Sequence, residues 1–190
     1  MKTKTLLPLL ALFLAFFYGS PRARAQTVVT DTDSGLKYID DGDGRLYIWV
    51  GGSALPGLSE IDGVSSHKYF IPDDNLRPGL RQAFNGNENK FYKTALDAVT
   101  EIGGTDASLR NQATSYKGLE YFRNLTTLKV KSENTTSGVV LDLSKNTKLT
   151  SLSYTNATRI KLSYLDISNT KLTSITIPSG GGKLSHYIQV

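Results

Sequence analysis

Apolar and polar positions in the C-terminal half of the chain repeat in a fixed order. Leu125-Thr-Thr-Leu128-Lys-Val130, Leu149-Thr-Ser-Leu152-Ser-Tyr154 and Leu172-Thr-Ser-Ile175-Thr-Ile177 align without gaps, 24 and 23 residues apart. Polar stretches precede them: Arg123-Asn124, Asn146-Thr147-Lys148 and Asn169-Thr170-Lys171. A second apolar motif lies between, Leu141-Asp-Leu143-Ser144 and Leu165-Asp-Ile167-Ser168, and a fainter copy starts at Val99-Thr-Glu-Ile102. A period of two puts the last two apolar residues of each segment on one side of a short strand, and the first fills the approach to it. One unit of about 23 residues cannot bury its own leucines. Stacked units can, with strands about 4.8 Å apart in a parallel sheet.

Upstream the pattern changes. Leu76, Leu80, Ala83 and Phe84 share one helical face, with Asp73 or Asp74 placed to cap its start and Asn85-Gly86 to end it. Pro78 sets the helix start late or bends it. Residues 36–39 and 45–50 are aromatic and β-branched runs around Asp40-Asp41-Gly42-Asp43-Gly44, the pattern of a β-hairpin. Gly51-Gly52 and Pro56-Gly57 then break the chain. At the start, Lys2 and Lys4 precede an apolar run from Leu6 to Tyr18, and Ala23-Arg24-Ala25 is a small-x-small cleavage pattern. That run rises roughly 20 Å as a helix, short of a bilayer core of about 30 Å. Residues 1–25 therefore read as a secretory signal peptide, with Gln26 as the mature N-terminus. A hairpin-containing segment over 26–66, a helical cap over 67–98 and a repeat region over 99–190 follow.

These residues resemble a known group. The stretch 141–152, LDLSKNTKLTSL, is similar to the repeat unit of exported leucine-rich-repeat proteins common in Bacteroidales. IPDDNLRPGLRQAF at 71–84, followed by GLEYFRNLTTL at 118–128, resembles the start of an internalin-type domain, where a helical cap precedes the first coils. The likeness spans roughly residues 70–177. It implies an α/β fold: a short right-handed leucine-rich-repeat solenoid of about four coils with parallel strands, an N-terminal helical cap and a preceding β-hairpin. It also implies a surface-exposed or secreted binding protein, often adhesive, and it transfers no catalytic residue. The Asn that closes the strand in such repeats would fall at Glu133, Ala157 and Gly180, so a regular asparagine ladder is not expected.

Composition narrows the chemistry. The 190 residues include no Cys, which removes disulfides, iron–sulfur clusters and thiol catalysis. Two histidines, His67 and His186, are too few for a multi-histidine metal site. Of 22 basic residues, Lys2, Lys4, Arg22 and Arg24 lie in the signal segment, leaving 18 against 17 acidic ones. So neutral a chain has little field to steer it to nucleic acid or to an anionic membrane. No second apolar stretch is long enough to span a bilayer.

Candidate sites are sparse. Asp40, Asp41 and Asp43 are a weak calcium candidate, because clustered carboxylates in a Gly-containing loop supply the oxygens that ion needs. Asp and Gly are equally the residues of a turn, and the terminal Glu of an EF-hand is missing. Ser65, Ser66 and His67 adjoin, but a hydrolase nucleophile also needs an orienting acid and oxyanion donors, and no G-x-S-x-G elbow is present. Gly180-Gly181-Gly182 lacks the Lys-Ser/Thr of a phosphate loop and reads as a turn before a last strand at 184–190. By alternation the solvent-facing strand residues are Glu101, Thr127, Lys129, Lys131, Ser151, Ser153, Thr155, Ser174 and Thr176, expected to line a concave face. That face is small, hydroxyl-rich and mildly basic, without the Trp, Tyr or Arg anchors that concentrate binding energy.

The expected function is an exported, non-enzymatic interaction or adhesion module that needs no cofactor and binds a protein, peptide or glycan on that face. The alternative is a structural or assembly subunit of the cell envelope that stacks or self-associates through its C-terminal coil. An exported hydrolase ranks third. Secretion, the cell surface and the periplasm are all compatible with the signal segment.

Overall fold

The computed structural model describes residues 25–83, 89–103, 109–133, 138–156, 162–177 and 187–188. The apolar run of the expected signal peptide, His186, the Gly180–Gly182 turn and most of the expected last strand lie outside these residues.

The N-terminal half is antiparallel. β1 (Thr27–Thr30), β2 (Lys37–Asp40), β3 (Leu46–Trp49) and β6 (Lys90–Tyr92) form one sheet in that order, and β4 (Glu60–Ile61) pairs with β5 (Val64–Ser65). Three short helices accompany them: α1 (Ser66–Tyr69), α2 (Leu76–Ala83) and α3 (Lys93–Ala98). Asp73 starts α2, its carbonyl accepting from Leu76 N and Arg77 N and its carboxylate from Asn75 N. Pro78 falls in the first turn, where proline's fixed φ suits a helix start.

The C-terminal half is parallel. β7 (Glu101–Ile102) and β8 (Leu109–Asn111) both pair with β9 (Thr127–Ser132), β9 with β11 (Ser151–Asn156), and β11 with β13 (Ser174–Thr176). A second parallel sheet runs β10 (Val139–Asp142), β12 (Leu162–Asp166), β14 (Tyr187–Ile188). The aligned segments pair in register: Leu128 with Leu152, and Leu152 with Ile175. Leu128, Val130, Leu152 and Tyr154 are buried, as their alternation requires.

The Thr that follows each repeated leucine has a structural use. Thr126, Thr150 and Thr173 donate Oγ1 to the carbonyls of Thr100, Thr126 and Thr150, at 2.9, 3.1 and 3.2 Å. Backbone N–H groups reach the same three carbonyls. Asn146 adds a second tie. It is fully buried, and its Nδ2 donates to Leu119 O at 2.9 Å and to Phe122 O at 3.2 Å.

One core joins the two halves. Tyr121, in the short 3-10 turn Leu119–Tyr121 before β9, meets Tyr38 of β2 edge-on at 5.3 Å and Phe70 at 6.0 Å. Its hydroxyl donates to Lys37 O at 3.0 Å. Gly118 permits this approach: φ is +114°, and a Cβ there would lie 2.7 Å from Ile71 Cγ1.

The expected α/β fold, a short right-handed leucine-rich-repeat solenoid with a helical cap and a preceding hairpin, is corrected by this structure. The described residues are mostly β, in four small sheets, two antiparallel and two parallel, with few and short helices. Two physical causes are visible. Lys90-Phe91-Tyr92, within the 67–98 segment expected to be a helical cap, forms a strand and pairs with β3, so short helices and an antiparallel strand share that segment. Phe91 is buried by that pairing. The parallel part is also short and interrupted. β7 ends just before Gly103, at φ +84°, a point where any Cβ would lie 2.3 Å from Lys129 O.

Candidate functional site

The solvent face of the parallel sheet is ordered by its register. Glu101, Thr127, Ser151 and Ser174 form one row across four strands. Lys129, Ser153 and Thr176 form the next, and Lys131 and Thr155 a third. Glu101 and Lys129 pair with each other at 3.1 Å, which leaves Lys131 as the lysine of this face without an ion-pair partner among the described residues. Thr155 Oγ1 donates to Val130 O at 3.3 Å, so part of the hydroxyl row is occupied by the fold itself. Among the described residues these rows carry no aromatic side chain.

Two clefts lie away from these rows. A cleft of about 480 Å³ opens between Leu36, Lys37, Val64, Tyr69, Lys117 and Tyr121. A second, of about 400 Å³, opens between Leu36, Ser115, Lys117, Val140, Asp142 and Lys145. Leu36, Lys117 and Glu120 line both, so the two clefts adjoin. Their volumes fall in the range of small-ligand sites. Val64 and Val140, exposed at 42% and 40%, are two of three large apolar side chains left open to solvent among the described residues. One lies in each cleft.

The charges around the clefts differ in their commitments. Lys37 is paired with Asp62 and lies over the Tyr69 ring. Lys68 lies 3.9 Å from Asp74. Lys117 and Lys145 have no ion-pair partner among the described residues. Glu120 accepts from Gly118 N at 2.6 Å. Burial pushes its carboxyl above the usual range, opposed by that backbone bond and by the nearby Lys117. Asp142 accepts from the N–H and hydroxyl of Ser144.

None of the cleft residues was singled out as a binding candidate, although Leu36 lies in the hairpin run, Glu120 in the 118–128 stretch and Asp142 in the second repeat motif. Leu36, Lys117 and Glu120 sit in loops and turns, where periodicity carries no signal. Val140 was detectable: in Val139-Val-Leu-Asp142 it occupies an outward strand position, where alternation asks for a polar residue.

The other candidates are taken up by local structure. Asp40 Oδ1 accepts from Gly42 N and Gly44 N, and Asp41 Oδ1 from Asp43 N and Arg45 N. Arg45 Nε lies 2.8 Å from Asp41 Oδ2. These carboxylates shape the hairpin turn, and no group of three metal-ligating side chains converges among the described residues. Ser66 is fully buried, and its hydroxyl accepts from Leu55 N at 2.7 Å. His67 is held towards its neutral form by burial and by Arg77 and Lys68. Among the described residues no helix is long and apolar enough to cross a membrane.

No protein-family model matches this chain, and no curated protein matches it at a significant level of similarity.

Proposed function

We propose that this chain is an exported, non-enzymatic binding module that holds an extended peptide segment of a partner protein. The observation that carries this reading is the pair of adjoining clefts around Leu36, Lys117 and Glu120. Their floor of Leu36, Tyr69, Tyr121 and two open valines receives aliphatic side chains. Lys117 and Lys145 receive a carboxylate, and Glu120 and Asp142 receive backbone amides. Export rests on the residue pattern of 1–25. The hydroxyl face of the parallel sheet, which lacks an anchor side chain, plays the lesser part.

The test is a random peptide library selected against the immobilised mature chain. Enriched peptides should combine aliphatic residues with an acid and weaken about tenfold on Lys117→Glu. No enrichment refutes the reading. Binding that survives Lys117→Glu but is lost on Lys131→Glu moves the site to the hydroxyl face.

One observation favours a second reading, assembly through the end of the parallel sheet. Ile175, on the end strand of that sheet, is 42% exposed, although its register partner Leu152 is buried.

A further inference from the structure

Among the described residues β13 pairs on one side only, with β11. Ser174, Ile175 and Thr176 are all exposed. Leu128 and Leu152, at the positions equivalent to Ile175, are 0% and 1% exposed. The backbone is open at the same residue, in the plane of the sheet and at right angles to the side chain. Ser174 N donates to Thr150 O, so strand alternation turns the N–H and C=O of Ile175 away from β11. A single residue thus presents an unburied aliphatic side chain together with two outward backbone groups.

Native proteins guard such edges with Lys, Pro, a bulge or a very short strand. β13 is short, at three residues, but carries no Lys, Pro or bulge. At the opposite end of the sheet the apolar side chains are covered: Ile102 and Leu109 are each 1% exposed and Val99 packs on the core. Head-to-tail addition of copies would set an uncovered apolar end against a covered one. A copy that adds through the same edge on both chains instead covers Ile175 on both, and that arrangement has a two-fold axis.

Ser-Ile-Thr suits that axis, because it is its own complement when reversed. About a two-fold through Ile175, the Ile175 N–H of each chain donates to the Ile175 carbonyl of the other. Ser174 then faces the partner's Thr176, a cross-strand hydroxyl pair of the favourable kind. We infer that this chain forms a two-fold dimer by antiparallel pairing of β13 with β13 of a second copy, which joins the two parallel sheets edge to edge. The inference rests on the assembly reading above and names its partner. Three residues per strand make a small interface, so the dimer is reversible and concentration-dependent.

Sedimentation equilibrium of the mature chain from about 1 μM to about 1 mM is the first test. The average mass should rise from that of the monomer towards twice that value. Ile175→Lys should hold it at the monomer while leaving the thermal unfolding midpoint unchanged, since the side chain is already open to solvent. Crosslinking is the second test, and it is clean because the chain has no Cys. Hydrogen-bonded antiparallel partners stand about 5.5 Å apart at Cα, within disulfide reach. Ile175→Cys should therefore crosslink to itself under mild oxidation. Ser174→Cys alone should not, but it should crosslink with Thr176→Cys when the two variants are mixed. A mass that stays monomeric, a dimer indifferent to Ile175→Lys, or equal crosslinking of the single-Cys variants overturns the inference. If a strictly monomeric protein still leaves its place in intact cells on Ile175→Lys, the second copy is wrong and the assembly reading stands. If Ile175→Lys changes neither property, both fall.

Discussion

Replacing Asn146 by Ala removes two side-chain hydrogen bonds between successive turns of the parallel region. Each such bond contributes about 1 kcal/mol net. The acceptors are not orphaned: Leu119 O keeps Phe122 N at 3.0 Å, and Phe122 O keeps Leu125 N at 3.1 Å. Asn146 Oδ1 is buried without a partner, so its loss returns part of the cost. The void left by the amide, in a fully buried position, adds to the loss. The net is a destabilisation of about 2 kcal/mol. In urea unfolding it appears as a midpoint lowered by about 1 M, and on heating as a drop of about 4–8 °C. Asn146→Asp is the sharper probe. It turns a donor into a carboxylate facing two carbonyl oxygens, at a cost of about 4 kcal/mol at pH 7. Burial raises the pKa of such an Asp in the folded state. Its penalty is therefore greatest above that folded value and shrinks as pH falls towards the unfolded one. An Ala variant within about 0.5 kcal/mol of wild type, or an Asp variant no worse than Ala at pH 7, refutes the reasoning.

Three further outcomes are expected. Thr150→Val keeps the shape but removes the Oγ1 bond to Thr126 O; because two backbone N–H groups still reach that carbonyl, urea melts should show a loss of only about 0.5–1 kcal/mol. Gly118→Ala forces a Cβ into a left-handed position against Ile71, and calorimetry should show a loss of about 3 kcal/mol. Glu120→Gln should be more stable than wild type at pH 7. The folded state raises the Glu120 pKa, so stability from its proton is present below the unfolded value and lost as pH rises through the folded one. The difference between the two proteins should close below about pH 4, as followed by denaturant midpoints across pH.

The pattern Leu-Thr-Ser/Thr-Leu/Ile was readable because a strand exposes and buries alternate residues. The same alternation identified the buried Leu128, Leu152 and Tyr154. The pairing of β2 with β3 around the Asp40–Gly44 turn and the start of α2 after Asp73 were readable for similar local reasons. The threonine ladder was present in the letters but not as a contact. Thr after Leu fits β propensity as well as it fits a bond to the turn before. The buried Asn146 was likewise visible as a residue and not as a donor, since its acceptors come from 24 and 27 positions earlier.

The sequence by itself determined the short-range features: which residues alternate, where turns fall, and that a C-terminal motif recurs every 23 or 24 residues. Only the tertiary structure decided the fold and the clefts. Lys90-Phe91-Tyr92 became a strand because β3 had an open edge for it, and local propensity cannot report a vacant neighbour. Leu36, Lys117, Glu120 and Val140 line adjoining clefts because Tyr121 and Tyr38 draw the antiparallel and parallel halves together. Residues more than 100 positions apart in sequence share that surface, and no periodic signal links them.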